Sequence, residues 1–331
     1  MSKFPKFLLL LLAVIVSCNT AEKESDLKDA NLKNIIDSME AELLKFNNEI
    51  VDLKDHYEYL VSNKEKFLKE SDKSKYQFDG GYSTNVPEMD STLSTIFVSI
   101  LSQDFKQSIE EAYFTNGLDS VFFNLYHKYD LIEQVYTNSA QFVSRVYPSY
   151  DAKNLVDKDL DITKFNFYYL GDAKHNPSKG PVWIPEAYVD PAGRGWILSL
   201  IHPVYDGEKL FAVLGIDFSI DDIIQRYLDD EQGKLLIVNS KGDIVAAKTQ
   251  AIEALSMPPL KNFVYRETIQ MDNFRISDFN LFNSKSKEVR SMANSILLEK
   301  NKEFIFKIEK GLKSASVVPF NILDWYLIEL K

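Results

Sequence analysis

The run Trp196-Ile-Leu-Ser-Leu-Ile-His-Pro-Val-Tyr-Asp206-Gly207-Glu-Lys209-Leu-Phe-Ala-Val-Leu-Gly-Ile-Asp217-Phe-Ser219 decides the fold. Two apolar segments, Trp196 to Val204 and Lys209 to Phe218, flank Tyr205-Asp206-Gly207-Glu208. An Asp-Gly pair between two such runs is a strong local signal of a β-hairpin. Past its first residue the second arm carries one charged side chain, Asp217, in otherwise apolar surroundings. An isolated carboxylate is costly to bury unless something pairs with it, so this position implies a site or a structural partner.

Outward from the hairpin, elements of both kinds are expected. Downstream, Ile220 to Leu228 reads as a short helix, and Lys234 to Asn239 and Ile244 to Ala247 as strands around Ser240-Lys241-Gly242-Asp243. Lys287 to Lys310 reads as mostly helical, and Ala315 to Val318 and Trp325 to Leu330 as closing strands. Upstream, Ile132 to Tyr136 and Gln141 to Tyr147 read as strands; Ser91 to Gln103, Phe105 to Thr115 and Asp119 to Tyr129 read as helical. From Asp26 to Ser71 there is neither Gly nor Pro. There Leu32, Ile36, Met39, Leu43, Phe46, Ile50, Leu53, Tyr57 and Leu60 recur in steps of four and three, the seam of one long helix. Such a seam serves either a parallel homodimeric coiled coil or a helix lying along its own domains. Strands and helices in this order argue for α+β modules with antiparallel sheets covered by helices.

The N-terminus is a leader. Lys3 and Lys6 precede an apolar run from Phe7 to Val16, followed by Ile15-Val16-Ser17-Cys18, and Cys18 is the only cysteine. The apolar core is short for a membrane span, and its order is that of a secretory signal. The cysteine placed there resembles a lipobox, which implies acylation of Cys18 and attachment to the bacterial cell envelope, on its periplasmic face or at the cell surface. With no other cysteine, neither disulfides nor thiolate metal sites are expected. The 38 Lys and Arg against 49 Asp and Glu give 38 − 49 = −11, and losing Lys3 and Lys6 with the leader gives 36 − 49 = −13. That balance disfavours nucleic acid as a partner.

A family resemblance rests on Trp183-Ile-Pro-Glu-Ala-Tyr188-Val-Asp190, Gly193, Ser199, Pro203-Val204-Tyr205 and Val213-Leu-Gly-Ile-Asp217-Phe-Ser, with Tyr136-Thr-Asn, Arg145-Val-Tyr147-Pro148 and Phe167-Tyr168 upstream. Together these resemble a double Cache, or PDC-like, sensor domain. Leu235-Leu-Ile-Val-Asn-Ser-Lys-Gly-Asp and Trp325-Tyr326-Leu327-Ile328 are similar to the first and last strands of its second module. With residues 1–18 read as signal, 19–25 as tether and 26–72 as long helix, the resemblance implies 73–232 as a membrane-distal, ligand-binding Cache module and 233–331 as a membrane-proximal Cache-like module. It implies small-molecule sensing rather than catalysis, with no cofactor. Members of the family continue into a second membrane helix and an output domain; here the chain ends at Lys331, so action through a separate signalling or transport protein is expected. The alternative is a scaffold lipoprotein that keeps the fold without a ligand. Where amino-acid-binding members carry an Arg two positions before an aromatic-Tyr pair, this chain has Phe165, with Lys164 beside it.

The candidate ligand-binding residues are Tyr136, Arg145, Tyr147, Phe167, Tyr168, Trp183, Tyr188, Asp190 and Asp217. A small-molecule pocket needs aromatic walls and a few converging polar groups. The six aromatics serve as walls or as ordinary core. Arg145 serves as a two-pronged carboxylate partner or a solvated strand residue. Asp190 serves as an acceptor for an amine or hydroxyl, or as a turn residue before Pro191. The ligand is expected to be a carboxylate, an amine or amino-acid-like, bound between the sheet and the segment Asp161 to Pro191. Enzyme signatures are absent from the sequence. His56, His127, His175 and His202 are far apart with no metal-ligand spacing, and Asp229-Asp230-Glu231 lacks the alternation of a calcium loop.

Overall fold

The computed structural model describes residues 7–85, 89–190, 194–258, 276–307 and 311–331, with the backbone alone at 7–29 and 276–277. The lipobox side chains, Cys18 and the tether therefore lie outside the described side chains, as do Pro191 and residues 308–310. The chain divides into two compact units. One holds residues 42–230; the other holds residues up to 41 with 231–258 and 276–331.

Helix α1 runs Phe7–Ser62 and α2 Lys64–Glu70. The single helix expected over 26–72 is thus broken at Asn63, whose φ of −115° and ψ of 25° leave the helical region. Every seam residue, from Leu32 to Leu60 in the recurrence above, is 0 to 2 % exposed within one chain. Each contributes about 1.5–3 kcal/mol by leaving water. A stripe consumed in this way is not available as a dimer seam.

In the first unit the elements follow as β1 (Phe78–Asp79), β2 (Tyr82–Ser83), β3 (Thr95–Val98), α3 (Phe105–Phe114), α4 (Leu118–Lys128), β4 (Gln134–Ser139), β5 (Val143–Tyr147), α5 (Ala152–Leu155), α6 (Asn166–Tyr169), β6 (Val182–Trp183), β7 (Tyr188–Val189), β8 (Trp196–Asp206), β9 (Lys209–Ser219) and α7 (Ile220–Tyr227). Among the described residues the sheet is antiparallel throughout, in the order β1-β2-β3-β5-β4-β9-β8-β6, with β7 also on β8. The expected hairpin is its centre, turning at Gly207 with φ +61°. Ser219 ends β9 and accepts from the backbone N–H groups of Asp221 and Asp222, capping α7, whose first turn carries both of those acids as the helix dipole favours.

The helix expected over Ser91 to Gln103 is instead strand β3. Thr95-Ile-Phe-Val98 is buried on both faces, so it carries no helical periodicity, and it pairs with β5. Two layers cover the sheet. On one face lie α3, α4 and part of α1, where Phe46 packs its ring 4.6 Å from Phe218 and 4.9 Å from Tyr129. The other face is covered by residues 150–190 with α5 and α6.

The second unit has a five-stranded antiparallel sheet among its described residues, in the order β11-β10-β14-β13-β12. The strands are β10 (Lys234–Asn239), β11 (Ile244–Ala247), β12 (Glu303–Ile305), β13 (Ser314–Pro319) and β14 (Trp325–Leu330). The helix expected from Lys287 to Lys310 is shorter, running Lys287–Ala293 and continuing as a π-turn to Leu298. Lys300, at φ +61°, turns the chain out of it and into β12. Glu40 of α1 accepts from the backbone N–H of Ile322 at 2.9 Å and the side chain of Asn321 at 2.7 Å. The protein is thus α+β, a long N-terminal helix followed by two modules on antiparallel sheets, the arrangement the resemblance implies.

Candidate functional site

Register places the site. Gln134 of β4 and Ser199 of β8 both lie opposite Asp217 of β9, forming a polar row across three strands. Asp217 is fully buried. Gln134 Nε2 donates to its Oδ2 at 2.6 Å, while its Oδ1 has no hydrogen-bond partner. Two residues up β9, Gly215 lies opposite Tyr136, and the tyrosine ring occupies the space a side chain would take there: a Cβ on Gly215 would sit 2.0 Å from Tyr136 Cζ. The Tyr136 hydroxyl is buried without a partner.

The covering layer supplies the other half. Phe167 of α6 lies with its ring 5.8 Å from Tyr136 and 5.7 Å from Tyr188 of β7. The Tyr188 hydroxyl and Ser199 Oγ are 2.7 Å apart. Asp190, nearly buried, accepts from the backbone N–H of Arg194. Between the layers is a cavity of about 40 Å³ that Asp190, Asp217, Gln134, Tyr136, Phe167 and Tyr188 help to line. None of its described lining residues is Lys, Arg or His. The nearby Arg194 guanidinium, off the lining, is held at two of its nitrogens: Nη2 donates to Pro148 O at 2.7 Å and Nη1 faces Glu133 at 3.4 Å, while its buried Nε has no partner.

Burial, and then the charge of Asp190, push the Asp217 carboxyl well above the usual carboxylate range; Gln134, Ser199 and Arg194 pull the other way. Burial followed by Asp217 pushes the Tyr136 and Tyr188 phenols up as well. The arrangement is two acids with an orphaned acceptor, walled by aromatic rings. An ammonium would give Asp217 Oδ1 the donor it lacks, beside the charge of Asp190 and the aromatic faces.

Five of the nine expected residues come together here: Tyr136, Phe167, Tyr188, Asp190 and Asp217. Tyr168 packs in the same cluster without lining the cavity. The other three fall on the opposite face, because side chains alternate along a strand. On β4 and β5, Tyr136 lies opposite Val146 and Thr137 opposite Arg145, so Tyr136 and Arg145 face opposite ways.

Arg145 is 1 % exposed and neither free for a carboxylate ligand nor solvated. Its Nη1 donates to Asp119 at 2.6 Å and Nη2 to Ala112 O at 2.6 Å, tying β5 to α3 and α4. Tyr147 packs against Phe123 and Tyr126 and donates to Ser91 O. Trp183, opposite Leu200, sets its ring 5.5 Å from Phe218. Gln134, Tyr150, Asn138 and Ser144 line the cavity and were not expected. Gln134 and Asn138 flank Tyr136 at two residues on β4 and share its face by strand alternation, a signal one strand does contain; Ser144 joins them through its register with Asn138, and Tyr150 from the loop after β5.

No family model and no curated protein matches the chain. Among solved structures, it is similar to the ligand-binding domain of the Campylobacter jejuni chemoreceptor Tlp3 in complex with L-norvaline, at 14% identity and a TM-score of 0.42, covering 92% of this chain and 91% of that one. It is also similar to the ligand-binding domain of the Pseudomonas aeruginosa PAO1 amino acid chemoreceptor PctB in complex with L-Gln, at 16% identity and a TM-score of 0.43, covering 70% and 78%. A third is the ligand-binding domain of the Pseudomonas fluorescens chemoreceptor CtaA in complex with L-alanine, at 15% identity and a TM-score of 0.41, covering 61% and 74%.

Proposed function

We propose that the chain is an extracytoplasmic small-molecule sensor of the double Cache type, whose first unit takes a compact amine between its sheet and residues 157–190. The observation that carries this reading is Asp217: a fully buried carboxylate with one oxygen unpartnered, beside a second acid, in a cavity whose described lining holds no cation. A bound ammonium supplies the missing partner. A carboxylate on the ligand finds no cation on the described lining, because Arg145 is turned away to Asp119 and Arg194, with its Nη atoms on Glu133 and Pro148, lies off it. The ligand is therefore an amine without an acid group. At about 40 Å³ the cavity holds little more than water, so the covering layer moves outward to admit it. The same small volume favours the alternative, a scaffold that binds nothing, and the two readings differ in one experiment.

Thermal unfolding is followed in the presence of small amines, carboxylates and amino acids. The sensor reading expects stabilisation by amines alone, since binding to the native state adds stability by mass action, and loss of that shift in Asp217→Asn. No shift with any amine supports the scaffold. In this reading the leader is cleaved and acyl chains on Cys18 hold the protein to the envelope, several chains anchoring where one is marginal. Acyl chains enter a single leaflet, so the bound state is passed on by a separate protein.

A further inference from the structure

A second cavity lies on the other side of the same unit, at the corner where α1 gives way to α2 and both meet α3. It is about 200 Å³, with Val61, Leu68, Phe114 and Phe211 among its walls, and Glu111 also lines it. Glu111 is 3 % exposed on α3; the Tyr57 hydroxyl of α1 donates to its Oε1 at 3.2 Å, and its Oε2 has no hydrogen-bond partner. Glu65, Glu110 and Asp206 stand on the same lining, with Lys64 as the one cation among the described lining residues. Val61, Lys64, Asp206 and Phe211 are shared with an adjoining open groove of about 470 Å³. Neither hollow includes a residue of the Asp217 site.

We propose that this cavity is a second ligand site, taking an aliphatic amine whose ammonium pairs with Glu111 and whose chain lies along Val61, Leu68, Phe114 and Phe211. A buried acid with an unused oxygen is costly, and a cation beside it removes that cost. The apolar walls add affinity for a chain rather than for a compact head group, which separates this ligand from that of the smaller cavity. The acidic lining draws cations in and repels fatty acids.

Binding is linked to protonation of Glu111. Burial raises its carboxyl to about 7, with the Ser139 and Tyr57 hydroxyls and the Arg145 guanidinium pulling the other way. Besides these, the charged groups on the cavity are Lys64 and Glu65 of α2, Glu110 of α3 and Asp206 of β8. An alkylammonium keeps its charge to about pH 10, as a lysine does, and it favours the carboxylate. Binding therefore releases a fraction of a proton at neutral pH and tightens from about pH 6 to about pH 8.

The test is calorimetric titration of the full chain with hexylammonium, hexan-1-ol and hexanoate. Hexylammonium is expected to bind at least about tenfold tighter than the alcohol, with no measurable binding of the acid. Glu111→Gln should bring hexylammonium down to the level of the alcohol, while Asp217→Asn leaves it within about twofold. Leu68→Trp, which adds bulk at a wall of the cavity and leaves Glu111 and Tyr57 in the sequence, should abolish it, and this variant decides the matter if Glu111→Gln fails to fold. Equal affinity for amine and alcohol, no binding at all, or loss through Asp217→Asn instead of Glu111→Gln would overturn the proposal; the last outcome assigns the amine to the smaller cavity and leaves the sensor reading standing.

Discussion

Replacing Gly215 by alanine probes the seat of Tyr136 directly. The backbone at Gly215 is not in the left-handed region, so in an open strand alanine would be preferred by about 0.5–1 kcal/mol. Here the new methyl would lie 2.0 Å from Tyr136 Cζ and 2.3 Å from both Cε1 and the hydroxyl oxygen, far inside contact distance. The ring is 3 % exposed and hemmed by Phe167, so it has no route to solvent and must crowd the cavity or lift the covering layer. Overpacking of this kind costs about 1–3 kcal/mol, and at a 2.0 Å approach the upper part of that range, about 2–3 kcal/mol, applies, leaving a net loss of roughly 1–2 kcal/mol after a backbone gain of about 1 kcal/mol. For a unit of this size each kcal/mol lowers Tm by about 2–4 °C, so a fall of roughly 2–8 °C is expected in calorimetric or circular-dichroism melting. Stabilisation by an amine should vanish in the same variant. An unchanged or raised Tm, with the amine response intact, would refute the seating of Tyr136 on Gly215.

Arg145→Ala removes the buried one of the two cations on Asp119, leaving Lys75 at 2.7 Å, and should cost about 3 kcal/mol in urea unfolding, the lower end for a broken buried pair; a change below about 1 kcal/mol would mean the pair is dispensable. Burial pushes Asp119 up, but Arg145 and Lys75 outweigh it and hold the carboxyl below its ordinary range. Its stabilising contribution is therefore present above about pH 4 and lost as pH falls through the lowered value, a loss that Arg145→Ala should reduce. Glu111, raised to about 7, behaves oppositely: its contribution is complete below about pH 4 and lost as pH rises through about 7, so Glu111→Gln should gain on the wild type by up to about 3 kcal/mol across that range. Cys18→Ser should move the protein from the membrane fraction to the soluble or unprocessed one, and unchanged fractionation would remove the lipid anchor from the account.

Much of the fold could be read from short stretches because their signals are local. Asp206-Gly207 between two apolar runs is a turn signal that hairpins favour, and Lys234–Asn239 and Ile244–Ala247 carry β-branched runs bounded by Gly242. Thr95–Val98 misled because a strand buried on both faces has lost the alternation that would identify it. The same loss hid the orientation of Arg145, since all of Val143–Tyr147 is buried. Asp217 was legible because a charge among apolar residues needs a reason. Gln134 and Ser199, which meet it across two different strand pairs, were not, because register is a property of the assembled sheet.

The central claim is that Asp217 is the anchor for an amine, and a crystal structure with a stabilising amine bound tests it most directly. The account predicts the nitrogen about 3 Å from Asp217 Oδ1, between Tyr136, Phe167 and Tyr188, with residues 157–190 displaced outward. An amine found elsewhere, with the Asp217–Gln134 bond unchanged and the cavity no larger, would contradict it.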